Sequence, residues 1–591
     1  MHSSTAFLGV ERSINGQAWL ARLDMRGEAV AERVAQDQIA SPILARILIG
    51  RDVQPENVGQ YLNPTLRDLL PDPARFTDMG KAARRIADAI LASEKIAVFG
   101  DYDVDGAASS ALIARYCQHF GMQAEIYIPD RIFEGYGPNV EAMQQLAARA
   151  SLIITVDCGT NSALPIAAAK AAGADVVVLD HHQQGGALPE NVAVVNPNRE
   201  DDLSGEGHLC AAGVVFITLV AVSALLRANG RKPPDLMAML DIVALATIAD
   251  VVPLKGVNRA FVVKGLSVAR AGANAGIAAL TRISRIGEPL NTYHLGFMIG
   301  PRINAGGRIG DAALGARLLV TTDTIEADKI AMELDALNAE RQAIEAGMLV
   351  QALEEADAEM ARGDGPPVLI AANDKWHPGV AGILASRLKE RFQRPAFAIA
   401  FNMSGNGTGS GRSIPGFDLG KLVRNAVDAG LLIKGGGHAM AAGVTLEKTK
   451  LGALRAFFEE NAGKVVAELA GKRALIVDGA LSAEGVRLEL IDDLDKAGPY
   501  GTGNPSPVFV LPSHKIAHAQ FFGAGHLRVT LASQRNVQLR AMLFRAEGTP
   551  LGDFLIKSIG QTVHIAGTIS RNHWQGRETA EFRIMDAAKT G

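Results

Sequence analysis

The sequence predicts an α/β protein in which a parallel-sheet domain is joined by a long helix to a smaller α/β domain, followed by an all-β barrel. Between residues 95 and 255, short apolar runs alternate with alanine-rich helical stretches, which is the pattern of βαβ units. Residues 323–361 have the apolar spacing of one long helix, which ends at a glycine- and proline-rich linker. After residue 472, short alternating strands separated by turn residues indicate a small barrel.

The length and composition limit how the chain can be organised. A chain of 591 residues should contain about three to five domains. Hydrophobic residues make up 48% of the chain and charged residues 21%, which excludes a disordered or fibrous protein. The sequence pattern divides the chain into an N-terminal segment (1–45), the parallel-sheet domain (46–322), the connecting helix (323–362), the second α/β domain (363–470) and the barrel (471–591).

Cysteine usage and apolar segments favour a cytoplasmic protein. The three cysteines include no CxxC pair, which argues against a disulfide framework and against a zinc ribbon. The N-terminus lacks the basic and apolar regions of a secretory signal. The longest uncharged stretch, 209–226, is rich in alanine and valine and has no flanking aromatic belt, so we interpret it as a buried helix and not as a membrane span.

Acidic and histidine side chains follow four apolar segments of the first α/β domain. In a parallel sheet, the carboxyl ends of neighbouring strands meet at one edge, where ligands bind. Side chains that are spread over about 150 residues of sequence can therefore converge there. The residues concerned are Asp101, Asp103 and Asp105 after KIAVFG, Asp157 after SLIITV, Asp180, His181 and His182 after DVVVL, and Asp250 after IVALATIA.

This set of carboxylates and imidazoles predicts a site for two metal ions. Oxygen and nitrogen ligands without a thiolate suit Mg²⁺ or Mn²⁺, and imidazole favours Mn²⁺. Two such ions are the usual device for phosphoryl transfer, because one activates water and both stabilise charge on the phosphate. Two other interpretations of the first motif are a solvated surface turn and a calcium loop, and Leu112 at the position of the required glutamate excludes the calcium loop.

Basic residues within glycine-rich segments are candidates for binding the phosphate itself. Glycine lets main-chain N–H groups approach phosphate oxygens closely, and arginine binds phosphate with two parallel hydrogen bonds. The segments are not P-loops, because no Gly-Lys-Ser/Thr follows them, and plain turns are the alternative interpretation. The candidates are Arg302 and Arg308 in PRINAGGRIGD, Arg412 in GSGRS and His438 in KGGGHAMAAG.

The C-terminal region carries the positive charge that the whole chain lacks. The net charge of the chain is −4, whereas residues 501–591 contain ten Lys and Arg against five Asp and Glu, a net charge of +5. Positive charge interspersed with aromatic side chains is typical of single-strand binding surfaces. Phe521, Phe522, Phe544 and Trp574 could stack on bases or belong to the barrel core. We expect Trp574, in the turn-like RNHWQGR, to be exposed and to contact the substrate.

From about residue 45 to the end, an ordered series of motifs resembles the bacterial single-stranded-DNA exonucleases of the DHH phosphoesterase superfamily. The motifs are GDYDVDG, VDCGT, LDHH, LCAAGVVF, ALATIADVVPL, PRINAGGRIGDA, WHPGVAGILASRL, GSGRSIPGFDL, GGGHAMAAG and PYGTGNPSPVF. The resemblance implies a DHH domain, a smaller DHHA1 domain and an OB-fold barrel. It also implies 5′→3′ degradation of single-stranded DNA to 5′-mononucleotides in recombination and repair. The partners we expect are single-stranded DNA with a 5′ end, a single-strand-binding protein and a helicase, and we expect a monomer.

The resemblance also implies roles for individual residues. The metal ligands would be Asp103, Asp105, Asp157, His181 and Asp250. His182 would lie near the scissile phosphate, with Asp180 orienting an imidazole and Asp101 supporting the site from outside the ligand set. Arg308 and His438 would contact the phosphate being cleaved, and Ser410 and Arg412 would bind the 5′-terminal phosphate. We add Arg302 and Trp574 to the expected substrate-binding residues.

Two alternatives are consistent with parts of the pattern. A DHH-type phosphodiesterase for oligonucleotides or cyclic dinucleotides would share the acidic motifs, but such enzymes typically end after the DHHA1 domain. A DHH scaffold that binds DNA without cleaving it would keep the fold but lose motif acids, and this chain keeps all of them.

Overall fold

The computed structural model describes residues 5–130, 134–190, 192–363, 365–574 and 577–590, with only the backbone of Trp574. The chain forms two compact units, one of residues 69–470 and one that combines residues 1–68 with 471–591. The domain boundaries drawn from the sequence stay predictions. The structure differs from them at residues 46–68, because the apolar Ile47, Leu48 and Val58 share a core with Phe509 and Leu527 of the C-terminal region.

The described N-terminal part of the chain, from residue 5, forms one short strand and four α-helices. Asp24 and Ser41 each cap a helix by accepting a hydrogen bond from a main-chain N–H in its first turn. The elements are β1 (Ala18–Ala21), α1 (Met25–Gln36), α2 (Pro42–Ile49), α3 (Val58–Leu62) and α4 (Leu66–Leu69).

A five-stranded parallel sheet organises the next region, as the sequence predicts. Its strands are β2 (Ile96–Gly100), β3 (Glu125–Tyr127), β4 (Leu152–Val156), β5 (Asp175–Leu179) and β6 (Ala193–Val195), in the order β3-β2-β4-β5-β6. All four pairings are parallel. Strands β2 and β4 are buried along their whole length, which explains why they read as continuous apolar runs.

Among the described residues, ten α-helices and one π-helical turn accompany this sheet. Helix α9 is the one helix in the described part of the chain that is long and apolar enough to cross a membrane, and 67% of it is buried inside the protein. Residues 211–219 of α9 are all buried, in agreement with a core helix. The helices are α5 (Met79–Leu91), α6 (Val104–Gln118), α7 (Val140–Ala147), α8 (Ala163–Ala171), α9 (Ala211–Ala228), α10 (Leu240–Ala249), α11 (Gly256–Arg270), α12 (Ala275–Ile283), α13 (Gly300–Ile309) and α14 (Leu314–Val320), and the π-helical turn is His294–Ile299.

The predicted long helix is confirmed as α15 (Thr324–Met360), which Asp323 caps by accepting the N–H of Ile325. The second α/β region follows it. Its mixed sheet has the order β10-β11-β9-β8-β7, and only the pair of β7 and β8 is parallel among the described strands. The elements are β7 (Leu369–Asn373), α16 (Ala381–Phe392), β8 (Ala396–Phe401), β9 (Asn406–Arg412), α17 (Leu419–Asp428), β10 (Lys434–Gly437), β11 (Ala441–Glu447) and α18 (Leu451–Gly471).

The C-terminal region is the predicted all-β barrel. Five strands close on themselves in the order β14-β15-β16-β18-β17, because β17 also pairs with β14. Such closure removes unpaired strand edges. The elements are β12 (Ala474–Val477), β13 (Gly479–Ala480), α19 (Leu488–Asp495), β14 (Phe509–Phe522), β15 (His526–Ala532), β16 (Gln538–Leu543), α20 (Pro550–Lys557), β17 (Thr562–Trp574) and β18 (Arg577–Lys589).

The first residues of the chain belong to the barrel unit. Strand β1 pairs in parallel with β12, so that Trp19 lies opposite Leu475. The Trp19 side chain is fully buried, and its indole Nε1 donates a hydrogen bond to Oδ2 of Asp586 at 3.0 Å. Helices α1 and α2 contribute apolar side chains to the barrel core. The N-terminal segment, for which the sequence motifs suggest no role, is therefore structural.

Candidate active site

The loop between β2 and α6 presents the first acidic motif. Asp103 caps α6, because its Oδ1 accepts the N–H groups of Asp105 at 2.9 Å and of Gly106 at 3.1 Å. The N–H of Val104 donates to Oδ1 of Asn304 at 3.2 Å, which ties the loop to α13. The acidic motif is thus held from both sides before any ligand binds.

Asp105 is buried at the N-terminus of α9. Its side chain accepts the N–H groups of Ala211 at 2.6 Å and of Ala212 at 2.8 Å. A helix N-terminus stabilises negative charge. Burial nevertheless raises the pKa of Asp105, and the nearby Asp103 carboxylate raises it further.

Two further carboxylates share this environment. Asp157 follows β4 with a left-handed φ of 59° and is 2% exposed, and Asp250 ends α10. Burial raises the pKa of both well above the ordinary value, and the charges of Asp105 and Asp103 raise them again. Mutual repulsion of this kind is relieved by bound divalent cations, for which carboxylate oxygens are suitable ligands.

His181 points one nitrogen at the carboxylates. Its Nδ1 lies 2.9 Å from the carbonyl oxygen of Leu209, which can only accept, so Nδ1 carries the hydrogen of the neutral ring. Nε2 is then free to bind a metal. It lies 3.2 Å from Oδ1 of Asp157, 3.7 Å from Oδ2 of Asp250 and 3.8 Å from Oδ2 of Asp105.

Three overlapping groups of side chains could hold a metal ion, each with ligand atoms within 4.8 Å of one another. Asp157 and His181 each belong to two of the groups. One group includes Asp101, to which the family resemblance assigns a supporting role. The donor set therefore fits two divalent ions. The groups are Asp105, His181 and Asp250; Asp157, His181 and His182; and Asp101, Asp103 and Asp157.

Asp180 orients His182 beside this cluster. Its Oδ1 lies 2.8 Å from Nδ1 of His182 and accepts the N–H groups of both histidines, and Oδ2 accepts the N–H of Thr160 at 3.0 Å. Burial opposes ionisation of Asp180, but these hydrogen bonds outweigh it and hold its pKa below the ordinary value. The pKa of His182 is raised in return: burial lowers it, and the hydrogen bond and charge of Asp180 more than compensate.

Tyr136 is a site residue that the sequence reasoning missed. Its hydroxyl donates to the main-chain oxygen of Asp157 at 3.2 Å and lies 3.1 Å from Nε2 of His182. Although the side chain is 53% exposed, the enclosed position of the hydroxyl and the neighbouring carboxylates raise its pKa well above the ordinary value, so the hydroxyl keeps its proton. No motif surrounds Tyr136, and only the hydrogen bonds of its hydroxyl to Asp157 and His182 reveal it.

Arg308 and His438 lie on two different elements of the chain. Arg308 lies in the last turn of α13, and its Nη1 donates to the carbonyl oxygen of Gly379 in the WHPG segment at 2.8 Å. His438 lies in the loop between β10 and β11, where its N–H donates to Ala441 at 2.8 Å. Partial burial lowers the pKa of His438, and the positive charge of His182 lowers it further. The two imidazoles are therefore within electrostatic range of each other.

Ser410 and Arg412 lie on β9, next to the beginning of α16. Gly382 lies in the first turn of α16 and has no side chain, so the helix can approach β9 closely. A Cβ at this position would lie 3.0 Å from Nη2 of Arg412 and 3.6 Å from Cβ of Ser410. Arg412 is also paired with Ala441, the first residue of β11. Ser410, Arg412 and the His438 loop thus occupy the same end of the sheet.

The other two expected substrate-binding residues are Arg302 and Trp574. Arg302 donates from Nε to Oδ1 of Asp335 on α15 at 2.8 Å and from Nη1 to the carbonyl oxygen of Met298 at 2.6 Å. Its guanidinium is therefore engaged by the protein itself. Trp574 ends β17, and its side chain lies outside the described residues.

The barrel carries aromatic and basic side chains on its outer surface. The ring of His526 lies between those of Phe522 and Phe544, with centroid distances of 5.6 and 5.3 Å. Arg528 lies over the Phe522 ring at 4.9 Å, and Arg583 lies over the Phe544 ring at 5.6 Å. Phe544 is 50% exposed, so it is a surface residue and not part of the barrel core.

Comparisons with known proteins agree with this architecture. Models of three families match the chain: the N-terminal domain of the DHH family over residues 95–247, the DHHA1 domain over residues 365–464 and the RecJ OB domain over residues 477–586. Each match coincides with one of the structural regions described above.

Whole-chain relatives extend the similarity. The single-stranded-DNA-specific exonuclease RecJ of Salmonella typhimurium is 36% identical over 92% of this chain and 95% of its own length. The RecJ exonuclease of Escherichia coli is 37% identical over 86% of this chain and 89% of its own length. The crystal structure of RecJ from Thermus thermophilus in complex with Mn²⁺ covers 95% of this chain and 78% of that chain, with a TM-score of 0.79 and 30% identity. The crystal structure of an exonuclease RecJ bound to manganese is 35% identical in sequence, with a TM-score of 0.56. The match covers 66% of this chain and 95% of that chain. The chain belongs to the RecJ family.

Proposed function

We propose that the chain is a metal-dependent exonuclease that hydrolyses single-stranded DNA in the 5′→3′ direction and releases 5′-mononucleotides. The observation that carries the proposal is the convergence of Asp105, Asp157 and Asp250 on Nε2 of His181 at the carboxyl edge of the parallel sheet. The similarity to relatives named single-stranded-DNA-specific exonucleases supports the choice of substrate.

The ligand set for two Mn²⁺ or Mg²⁺ ions would be Asp103, Asp105, Asp157, His181 and Asp250. Such ions supply activation of water and neutralisation of charge on the phosphate. The protein's own part is to hold the ligands: the α9 N–H groups hold Asp105, and Leu209 orients His181. The proximity of Asp101 to Asp103 and Asp157 supports a place for it beside the second ion.

The remaining groups would bind and orient the DNA. His182, whose Nδ1 is held by Asp180 and whose pKa that carboxylate raises, would contact the phosphate being cleaved. Arg308 and His438 would bind the same phosphate from the α13 and DHHA1 sides. Proton-donating groups in these positions stabilise negative charge as it develops on the phosphate oxygens.

Ser410 and Arg412 would bind the 5′-terminal phosphate. An arginine guanidinium forms charge-assisted hydrogen bonds with phosphate, and the first N–H groups of a helix favour an anion. The start of α16 lies against both side chains, which supports this role. A site for the terminal phosphate would restrict cleavage to strands with a 5′ end and so impose the polarity.

The barrel would hold the longer part of the strand, with Phe544 and Phe522 stacking on bases and Arg528 and Arg583 contacting phosphates. We propose a cytoplasmic monomer that acts in recombination and repair, supplied with single strands by a helicase and a single-strand-binding protein. Trp574 stays a candidate for base contact.

A digestion of labelled oligonucleotides tests the proposal. Single strands labelled at the 5′ or the 3′ end are incubated with the full chain and Mn²⁺, Mg²⁺ or EDTA. We expect the 5′ label to appear at once as a mononucleotide, the 3′ label to shorten progressively, and no cleavage with EDTA. Early release of the 3′ label as a mononucleotide, or cleavage in EDTA, would contradict the proposal.

A further inference from the structure

Two aromatic side chains are exposed on the π-helical turn His294–Ile299 and the residue before it. Tyr293 is 58% exposed and Phe297 is 72% exposed. Their rings are stacked, with centroids 5.2 Å apart and planes 23° from parallel. Large aromatic side chains in a soluble domain are usually buried, so an exposed stack that no core requires points to a ligand.

The turn lies directly beside the candidate metal cluster. A Cβ on Gly296 would lie 3.1 Å from Cγ2 of Ile248, and one on Gly300 would lie 3.5 Å from Cβ of Ala249 and 3.9 Å from Cγ2 of Val104. Ile248 and Ala249 are the residues before Asp250, and Val104 separates Asp103 from Asp105. The stacked rings are therefore carried by a segment that touches the acidic motifs at two points.

The turn is held rigidly. His294 is 4% exposed, its Nε2 lies 3.0 Å from Oε1 of Glu288, and its Nδ1 accepts the N–H of Asn291 at 3.2 Å. Arg302 bonds the carbonyl oxygen of Met298 and the Asp335 carboxylate at the same time. A surface that is ordered before the ligand arrives loses less conformational entropy on binding. π-Helical turns also occur frequently at functional sites.

We propose that Tyr293 and Phe297 form a stacking platform for a nucleobase next to the phosphodiester that is cleaved. This inference rests on the proposed function and names a positioning element for it. Every nucleobase has a π face, so a platform of this kind accepts any sequence, as an exonuclease requires. In this arrangement Arg302 positions the platform by bracing Met298 and does not contact phosphate.

Three substitutions at one position separate stacking from simple apolar contact. Phe297→Ala removes the ring, Phe297→Leu keeps an apolar side chain without a π face, and Phe297→Trp keeps the π face. Because stacking on one base contributes about 1–3 kcal/mol, we expect the alanine and leucine variants to raise KM for a 5′-phosphorylated oligonucleotide about tenfold, with a smaller change in kcat. The tryptophan variant should retain the wild-type KM.

A second readout comes from the substrate. Oligonucleotides that carry one abasic nucleotide at successive positions from the 5′ end are digested by the wild type and by Phe297→Ala. We expect the wild type to slow at one or two positions, where its rate falls to that of the variant, and the variant to be indifferent to the abasic site there. Met403→Ala removes another fully exposed apolar side chain and serves as the control, with wild-type kinetics expected.

The outcomes distinguish this inference from the proposed function. If the wild type degrades single strands and Phe297→Leu matches it on all substrates, the platform is overturned and the exonuclease assignment stands. A different result would also overturn the platform: Phe297→Leu and Phe297→Ala could digest DNA normally but bind a second protein more weakly than the wild type does. Tyr293 and Phe297 would then be a protein contact. If the wild type does not digest single strands with either metal, both proposals fall.

Discussion

The Nδ1 atom of His181 lies 2.9 Å from the carbonyl oxygen of Leu209, and this hydrogen bond turns Nε2 of the ring towards the buried carboxylates of Asp105 and Asp157 and the partly exposed carboxylate of Asp250. The carbonyl belongs to the residue that precedes the cap of α9, the helix whose N-terminus also holds Asp105. One helix start therefore positions both a carboxylate and an imidazole of the candidate metal centre.

Removing either of these two ligands should abolish cleavage. We expect Asp105→Ala or His181→Ala to reduce the rate on single-stranded DNA by about a thousandfold or more, because the rate enhancement of a metal-dependent hydrolase depends on the ion's position. Binding of the strand, measured by fluorescence anisotropy, should change little. Glu460→Gln, at an exposed position of α18, is the control. Full activity of either variant with Mn²⁺ present would refute the ligand assignment.

Metal binding should raise the free energy of unfolding, because a bound cation neutralises carboxylates that otherwise repel one another. We expect Mn²⁺ to raise the unfolding temperature relative to EDTA, since a ligand at about a hundred times its Kd adds about 2.7 kcal/mol. Asp157→Asn removes one of the mutually repelling carboxylates, so it should raise the unfolding temperature in EDTA and reduce the shift on adding Mn²⁺. Differential scanning fluorimetry measures both quantities. An unchanged Mn²⁺ shift in the variant would argue against a role for Asp157 as a ligand.

Asp241 at the start of α10 should make the protein less stable as the pH rises. It is 1% exposed, its Oδ2 has no hydrogen-bond partner among the described residues, and burial raises its pKa from 3.8 to about 6. The Asp241 carboxyl binds its proton more tightly in the folded state than in the unfolded state. The protonated carboxyl therefore stabilises the folded state fully below about pH 4, and this contribution is lost as the pH rises through about 6.

The variant Asp241→Asn tests this linkage, because the amide oxygen can still accept the N–H of Ile242 that bonds Oδ1 at 2.9 Å. Because burial raises the pKa of Asp241 from 3.8 to about 6, we expect the variant to be more stable than the wild type at about pH 8 by up to about 3 kcal/mol, and equally stable near pH 4. Urea unfolding at the two pH values measures the difference. A variant that is destabilised equally at both would show that the carboxylate is needed in its charged form.

The 5′-phosphate site predicts a specific loss of end discrimination. We expect Arg412→Ala to lower the ratio of cleavage rates on 5′-phosphorylated and 5′-hydroxyl strands by about tenfold or more, because a charge-assisted hydrogen bond contributes about 1.5–3 kcal/mol. The rate on 5′-hydroxyl strands should change less. Lys464→Ala removes an exposed positive charge from α18 and should leave the ratio unchanged. Equal losses on both strands would assign Arg412 to general DNA binding.

The hydrogen bond between Trp19 and Asp586 should contribute to the stability of the barrel unit. Trp19→Phe preserves most of the apolar contact but leaves the carboxylate, which is 1% exposed, without its indole donor. We expect a loss of about 1–3 kcal/mol in the free energy of unfolding. Denaturant unfolding measures the loss, and the double variant Trp19→Phe with Asp586→Asn should recover part of it. A single variant as stable as the wild type would show that this contact adds nothing to stability.

The sequence by itself determined the sheet, the long helix, the barrel and most of the metal site. Buried parallel strands read as short apolar runs, and their polar ends must meet at one edge, so Asp105, Asp157, His181 and Asp250 could be grouped from the sequence pattern. The helix α15 could be predicted from its apolar spacing over residues 323–361 and from the glycine- and proline-rich linker that follows, and it forms over Thr324–Met360.

Only the tertiary structure shows which groups the other side chains contact. Arg302 is engaged by Asp335, which lies 33 residues further along the chain, and Tyr136 reaches His182 from a loop without a motif. Likewise, β1 pairs with β12 across more than 450 residues of sequence. Such pairings depend on how helices and strands pack against one another, and a local pattern of residue types does not predict that packing.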